Sequence, residues 1–320
     1  MLVGHTTVSQ PPRIHSGVTA IVPRDLTSRR TLPAAIAVLN GYGKLIGSTQ
    51  VDELGEIETP IVLTATLSAF RVADAVVTWM LARPGRETTR SINPLVAETN
   101  DGFVSDIRAR PITEAHVLSA LDSATAGPVA QGCVGAGTGT TALGYKAGIG
   151  TSSRVVTVGD SAATVGALVQ ANFSGTLTVL GRPIPTSAPG PAPTGGNVDS
   201  EAATEDDPHA EGNSCVLVVA VDAPLDARQL GRVARRSLLA MARVGSDFRG
   251  GSGDYAIAFS TAPPDARPGN DADLNDLFAG TIDATEEALL DSVVTATTTV
   301  GHHGTSRAVS HDAIRAAFGR

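Results

Sequence analysis

The pair Asn213–Ser214 is the place in this 320-residue sequence where residue types and setting could combine into chemistry. To its left, residues 183–213 are Pro-rich and then acidic, with almost nothing to bury. To its right runs "SCVLVVAV", a strand-like stretch rich in β-branched residues. A cut just before Ser214 would leave a hydroxyl and a free α-amine on one residue. An α-amine titrates near about 8, against about 10.4 for lysine, so it can take the hydroxyl's proton without a histidine. The cut itself would be attack of the Ser214 hydroxyl on the preceding carbonyl, followed by hydrolysis of the ester. The slack segment would let the ends separate while the strand holds the nucleophile. The plainer reading of the same pair is a loop meeting a strand.

Other motifs fail on spacing. "GCVGAGTGTTALGYKAGIG" (132–150) lacks the strand before it and the acid after it that a dinucleotide fingerprint requires. Gly139 and Gly144 match a phosphate loop, but Tyr145 stands where lysine should follow. What remains is a Gly-rich loop whose backbone approaches something closely, a substrate being one candidate. No H-x-x-x-H or G-x-S-x-G occurs, so neither a zinc-hydrolase helix nor an α/β-hydrolase elbow is supported. Neither metal nor cofactor is expected. Cys133 and Cys215 read as small buried hydrophobes, and His302–His303 as solvated loop residues.

The elements that must position these groups alternate between strand and helix patterns, in both halves of the chain. "GVTAIVP" (17–23), "RVVTVG" (154–159), "GTLTVLG" (175–181) and "DYAIAFST" (254–261) read as strands. "TATLSAFRVADAVVTWMLAR" (64–83) reads as a helix packed between layers. A second helix fills 226–244, opened by an Asp226/Gln229 capping box and closed by Gly245. Its arginines form the wet face. Two more helices are expected over about 272–296 and 307–318. The result is a layered α/β architecture with one shared core.

Beyond the single pair, "EGNSCVLVVAVDAPLDARQLGRVARRSLLAMARVGSDFRGGSGDYAIAFSTA" (211–262) resembles the self-processing serine aminopeptidases. These include L-aminopeptidase/D-esterases and β-aminopeptidases of the P1 peptidase family, with nylon-oligomer hydrolases as relatives. The likeness continues upstream through residues 40–64, 93–108, 134–154 and 165–175, in the family's order. It implies a four-layer α-β-β-α sandwich of N-terminal-nucleophile type, formed jointly by two subunits. These would be residues 1–213, ending in a disordered segment at 183–213, and residues 214–320. The resemblance also implies a homo-oligomer of such cleaved heterodimers. It makes Ser214 the nucleophile, Asn172 an oxyanion-hole donor and Ser252 a hydrogen-bonding support. Asp254 stands where relatives have Glu, which keeps the charge and shortens the reach. Tyr145, Gly135 and Gly137 would line the substrate pocket. Gln131 stands where relatives have an acid, which leaves the partner of the substrate's amine unassigned. Asn100 is a further polar contact, or the start of an Asx turn before Gly102.

Net charge is −8, but residues 183–213 hold six carboxylates and no Lys or Arg, leaving about −2 for the rest. A chain so charged is a poor match to nucleic acid. With no apolar run of membrane-spanning length and no basic-then-apolar leader pattern, it reads as soluble and cytoplasmic. The expected substrates are small peptides, amides or esters with a free amine. The alternatives are an amidohydrolase or acyltransferase acting on oligoamide or pantetheine-type substrates, and a non-catalytic ligand-binding homologue.

Overall fold

The computed structural model describes residues 1–24, 26, 31–184, 186 and 213–319. Strands β1 (Leu2–Gln10) and β2 (Ile14–Val22) form a hairpin. After it come β3 (Leu32–Gly41), β4 (Leu45–Ile46), helix α1 (Ser48–Leu54), β5 (Glu56–Ile57) and β6 (Ile61–Ala65). Helix α2 (Ala69–Leu81) leads to β7 (Leu95–Thr99) and α3 (Glu114–Asp122). A short hairpin, β8 (Thr141–Ala142) and β9 (Tyr145–Lys146), precedes the long strands β10 (Ile149–Val158) and β11 (Ser161–Asn172). A minimal ribbon, β12 (Thr178–Val179) with β13 (Arg182–Pro183), follows. The last part holds β14 (Ser214–Val221), α4 (Ala227–Arg243), β15 (Gly253–Ser260) and α5 (Asn275–Val294). It ends with the ribbon β16 (Thr299–Val300) and β17 (Thr305–Ser306), then α6 (His311–Ala317).

Two mixed sheets carry the fold, ordered β1-β2-β6-β7-β4 and β10-β11-β14-β15-β3-β5. The parallel pairs β6/β7 and β14/β15 are the ones joined through a helix, α2 and α4, as parallel neighbours require. Ile61, Leu63 and Ala97 of the first sheet meet Leu168, Val216, Val218 and Phe259 of the second. The other face of the first sheet packs Val18, Ala20 and Val62 on α2 and α3, through Val72, Val76 and Val117. The other face of the second packs Val169, Leu217 and Val219 on α4 and α5, through Leu230, Val233, Leu277 and Ala288. With both faces covered, β14 and β15 need apolar residues at nearly every position, hence the unbroken run after Ser214.

Helix α4 starts and stops where its sequence signals lie. The Asp226 carboxylate accepts from Gln229 N at 2.7 Å, and the Gln229 side chain returns to Asp226 N. At the other end Gly245 takes φ 95°, with Gly245 N donating to Ala242 O and Ser246 N to Met241 O. That is a Schellman close. Arg228 and Arg232 reach Asp271, and the Arg236 guanidinium lies 3.6 Å from the Phe278 ring centre, so this wet face also fastens α5.

Other expectations need correction. The helix expected over 64–83 begins only at Ala69, because Thr64 and Ala65 belong to β6, ordered between β2 and β7, and Thr66–Ser68 form a 3-10 turn. Of 175–181, Thr178–Val179 alone is strand; Leu180 and Gly181 both take positive φ and turn the chain back. The last two helices are shorter than expected, at Asn275–Val294 and His311–Ala317. Cys215 is fully buried as expected, but Cys133 is half-buried and hydrogen-bonded to Thr297. Most of the Pro-rich and acidic stretch, residues 185 and 187–212, lies outside the described residues. Among those described, no helix is long and apolar enough to cross a membrane, and no cluster of His, Cys, Asp or Glu could hold a metal ion.

Candidate active site

Ser214 opens β14, an inner strand of the second sheet, and is paired on both sides. It stands opposite Asn172 of β11 and level with Gly253 of β15. In a pleated ladder, residues directly opposite point to the same face. Val216 and Val218, two and four residues on, pack between the sheets, so Ser214 faces that interior at the strand's mouth. Its hydroxyl bonds the carbonyl oxygen of Asn213, both residues being buried.

Asn172 is held by its oxygen. Thr141 N donates to Asn172 Oδ1 at 3.0 Å, which fixes the flip of the amide and turns its NH2 away from Thr141. Two residues before it, Gln170 Nε2 donates to Thr64 O, Thr99 Oγ1 and Ala136 O, tying both sheets and the Gly-rich loop together beside the site.

Ser252 and Asp254 flank Gly253. Ser252 Oγ donates to Asp254 Oδ1 at 2.6 Å, and Asn40 Nδ2 donates to Asp254 Oδ2 at 2.8 Å. Burial raises the Asp254 carboxyl above its ordinary value, although both bonds favour the charged form. On the other side of Gly253, an added Cβ would meet the backbone of Gly43 at 2.8 Å. Gly43 N in turn donates to the Tyr255 hydroxyl, and a Cβ on Gly43 would lie 3.1 Å from Glu98 Oε1.

Glu98 is the residue that sequence reading missed. It is 1% exposed, near the end of β7, and accepts from Lys44 N at 2.8 Å. Lys44 Nζ stands 3.6 Å from Glu98 Oε1 and donates to Thr66 Oγ1. Glu98 Oε2 is buried with no hydrogen-bond partner among the described residues. Burial pushes the carboxyl up, and Lys44 pulls it part of the way back. An acid inside the otherwise apolar "PLVAET" was the available signal.

The remaining sequence candidates are distributed differently. Gly135 and Gly137 form a buried 3-10 turn packed closely on its neighbours. A Cβ at Gly135 would lie 2.5 Å from Thr19 Oγ1, and one at Gly137 would press on Ile149 N. Tyr145 is buried in the helix-side core, and burial raises its phenol. The Asn100 oxygen accepts from Gly102 N at 2.9 Å, closing an Asx turn. Gln131 receives Thr151 N; Thr151 pairs with Leu168 and Leu168 with Val218. That is four residues from Ser214, about 13 Å along the strand.

The assembled site is a buried hydroxyl opposite an oriented amide, with a hydrogen-bonded Ser–Asp–Asn set around Gly253 and a half-satisfied carboxylate reached through Gly43. A family model for peptidase family S58 matches residues 1–307. The chain belongs to peptidase family S58. The beta-peptidyl aminopeptidase BapA of Sphingosinicella xenopeptidilytica is 40% identical over 323 residues, spanning 93% of this chain and 80% of that protein. Among solved structures, a beta-aminopeptidase of Burkholderia sp. superimposes with TM-score 0.87 at 32% identity, over 99% of this chain and 91% of that one. The L-aminopeptidase D-Ala-esterase/amidase of Ochrobactrum anthropi superimposes with TM-score 0.85 at 34% identity, over 100% of this chain and 92% of that one. That enzyme is described as a prototype for the serine aminopeptidases and a new variant among the Ntn hydrolase fold. This S58 chain is therefore a peptidase with aminopeptidases as relatives, on a mixed α/β fold shared with Ntn hydrolases.

Proposed function

We propose that this S58 peptidase is a self-cleaving N-terminal-nucleophile aminopeptidase that releases N-terminal residues from small peptides, amides or esters. The observation that carries the reading is the opposition of Ser214 and Asn172, with the Asn172 amide oriented by Thr141 N. In maturation, Ser214 Oγ bonds to the Asn213 carbonyl carbon, the C–N bond breaks, and water hydrolyses the ester. Ser214 is left with a free α-amine. The contact of that hydroxyl with the Asn213 carbonyl supports this route. In turnover the amine takes the hydroxyl proton as Oγ attacks the substrate carbonyl, then delivers it to the leaving amine. Asn172 Nδ2 donates to the developing oxyanion. The Ser252–Asp254–Asn40 set holds the first residues of β15 beside the nucleophile.

Glu98 receives the substrate's ammonium. Its Oε1 side is taken by Lys44, and its unpartnered Oε2 is an acceptor whose burial cost a bound cation removes. Glu98 thus takes the role left unassigned at Gln131. The packing of two sheets between helix pairs is read as the four-layer sandwich of the Ntn hydrolases, shared by subunits 1–213 and 214–320 and assembled into a homo-oligomer. Turnover of free-amine peptide amides, with a Ser214→Ala control, tests the reading: activity in the wild type alone supports it, and equal rates in both contradict it.

A further inference from the structure

Lys146 lies in β9 and is completely buried, an unusual place for an ammonium. Its Nζ donates to Gly137 O at 3.3 Å, Thr140 O at 2.9 Å and Ala147 O at 2.6 Å. An ammonium has three donors, and here three backbone carbonyls take them. Burial pulls its pKa down, while the nearby Cys133 and Asp101 push it back. No proton-transfer role is open to a group so occupied. The carbonyls belong to the two limbs that enclose β8 and β9, and Ala147 N closes on Thr140 O.

Thr140, one of the tied carbonyls, immediately precedes Thr141, whose N–H fixes the Asn172 amide. The same hairpin clamps the end of β11, since Leu143 N donates to Phe173 O and Ala171 N to Gly148 O. We infer that Lys146 is a positioning residue: it staples the Gly137–Ala147 loop so that Thr141 N holds the Asn172 amide with its NH2 toward Ser214. The inference rests on the proposed oxyanion role of Asn172. A neutral side chain of equal length cannot satisfy three carbonyls, so the loop would relax and the amide would lose its fixed flip.

The test compares Lys146→Met and Lys146→Arg with wild type in the full chain. An α-aminoboronic acid, which forms a tetrahedral adduct on a serine, probes the oxyanion hole; the matching unreactive amine probes ground-state binding. Loss of one oxyanion donor typically costs about 10²–10³ in kcat. Lys146→Met is expected to lose kcat and boronate affinity in parallel, each by about 30-fold or more. KM and amine affinity should move less than about threefold, because ground-state binding does not use that donor. Lys146→Arg keeps the charge with a different reach and should lose less; it decides the matter if the Met variant does not fold. Unchanged boronate affinity, or equal loss for boronate and amine, overturns the inference. The side-chain amide NMR signal of Asn172, assigned by its disappearance in Asn172→Asp, provides a readout that does not need turnover. It should move in both Lys146 variants, and an unmoved signal would refute the staple. If wild type shows no turnover, the proposed function fails while this signal still judges Lys146.

Discussion

Asn172 and Ser214 are directly opposed in the antiparallel ladder between β11 and β14. Both sit at strand ends, and both are buried. The register therefore sets the proposed nucleophile against the proposed donor, and Thr141 N orients the donor's amide.

Replacing Asn172 by Ala should leave the sheet intact and remove the donor. The expected loss is about 10²–10³ in kcat with little change in KM, the pattern of an interaction made chiefly in the transition state. Steady-state kinetics on a peptide p-nitroanilide would show it. A rise in KM alone would speak for ground-state binding.

Glu98→Gln tests amine recognition. With the carboxylate gone, kcat/KM for free-amine substrates should fall by about 10² or more, since a buried charge-assisted contact is lost. N-acetylated analogues should be almost unaffected. Equal losses for both substrate types would remove Glu98 from the amine site.

Asp101 predicts a pH effect. Burial, with the Glu98 charge adding to it, pushes its carboxyl from the ordinary 3.8 up to about 7, while Ser16 and Lys146 oppose. Between those values the fold keeps a proton that the unfolded chain has lost. Stability contributed by this group is thus highest below about pH 4 and falls as pH rises toward 7, by up to about 1.4 kcal/mol per unit. Denaturant midpoints at about pH 5 and pH 8 should diverge less in Asp101→Asn than in wild type. The same pH dependence in both would contradict the assignment.

Asp226→Ala should cost about 1 kcal/mol in urea unfolding by removing the α4 cap, with no change in the relative rates on different substrates.

How much of this was legible varied with the kind of signal. The bounds of α4 were readable because capping chemistry is local: Asp226, Gln229 and Gly245 name their own positions. Residues 64–83 misled because short apolar strands and buried helices share composition, and only the sheet order separates Ile61–Ala65 from α2. Ser214 stood out by its setting at the loop–strand junction and Asn172 through resemblance, but their opposition depends on register, a long-range property that no local pattern encodes. Glu98 and Lys146 lay in plain sight, an acid and a base inside apolar surroundings. What they touch is decided by the neighbouring chain segments Gly43–Lys44 and Gly137–Thr140.

Self-cleavage before Ser214 is the step on which the proposed chemistry depends. Intact mass of freshly purified protein under denaturing conditions, beside Ser214→Ala, tests it without any substrate. Fragments 1–213 and 214–320 are expected in the wild type, and one uncut 320-residue chain in the variant. A single full-length chain in both would refute self-cleavage and leave Asn213–Ser214 as a loop meeting a strand.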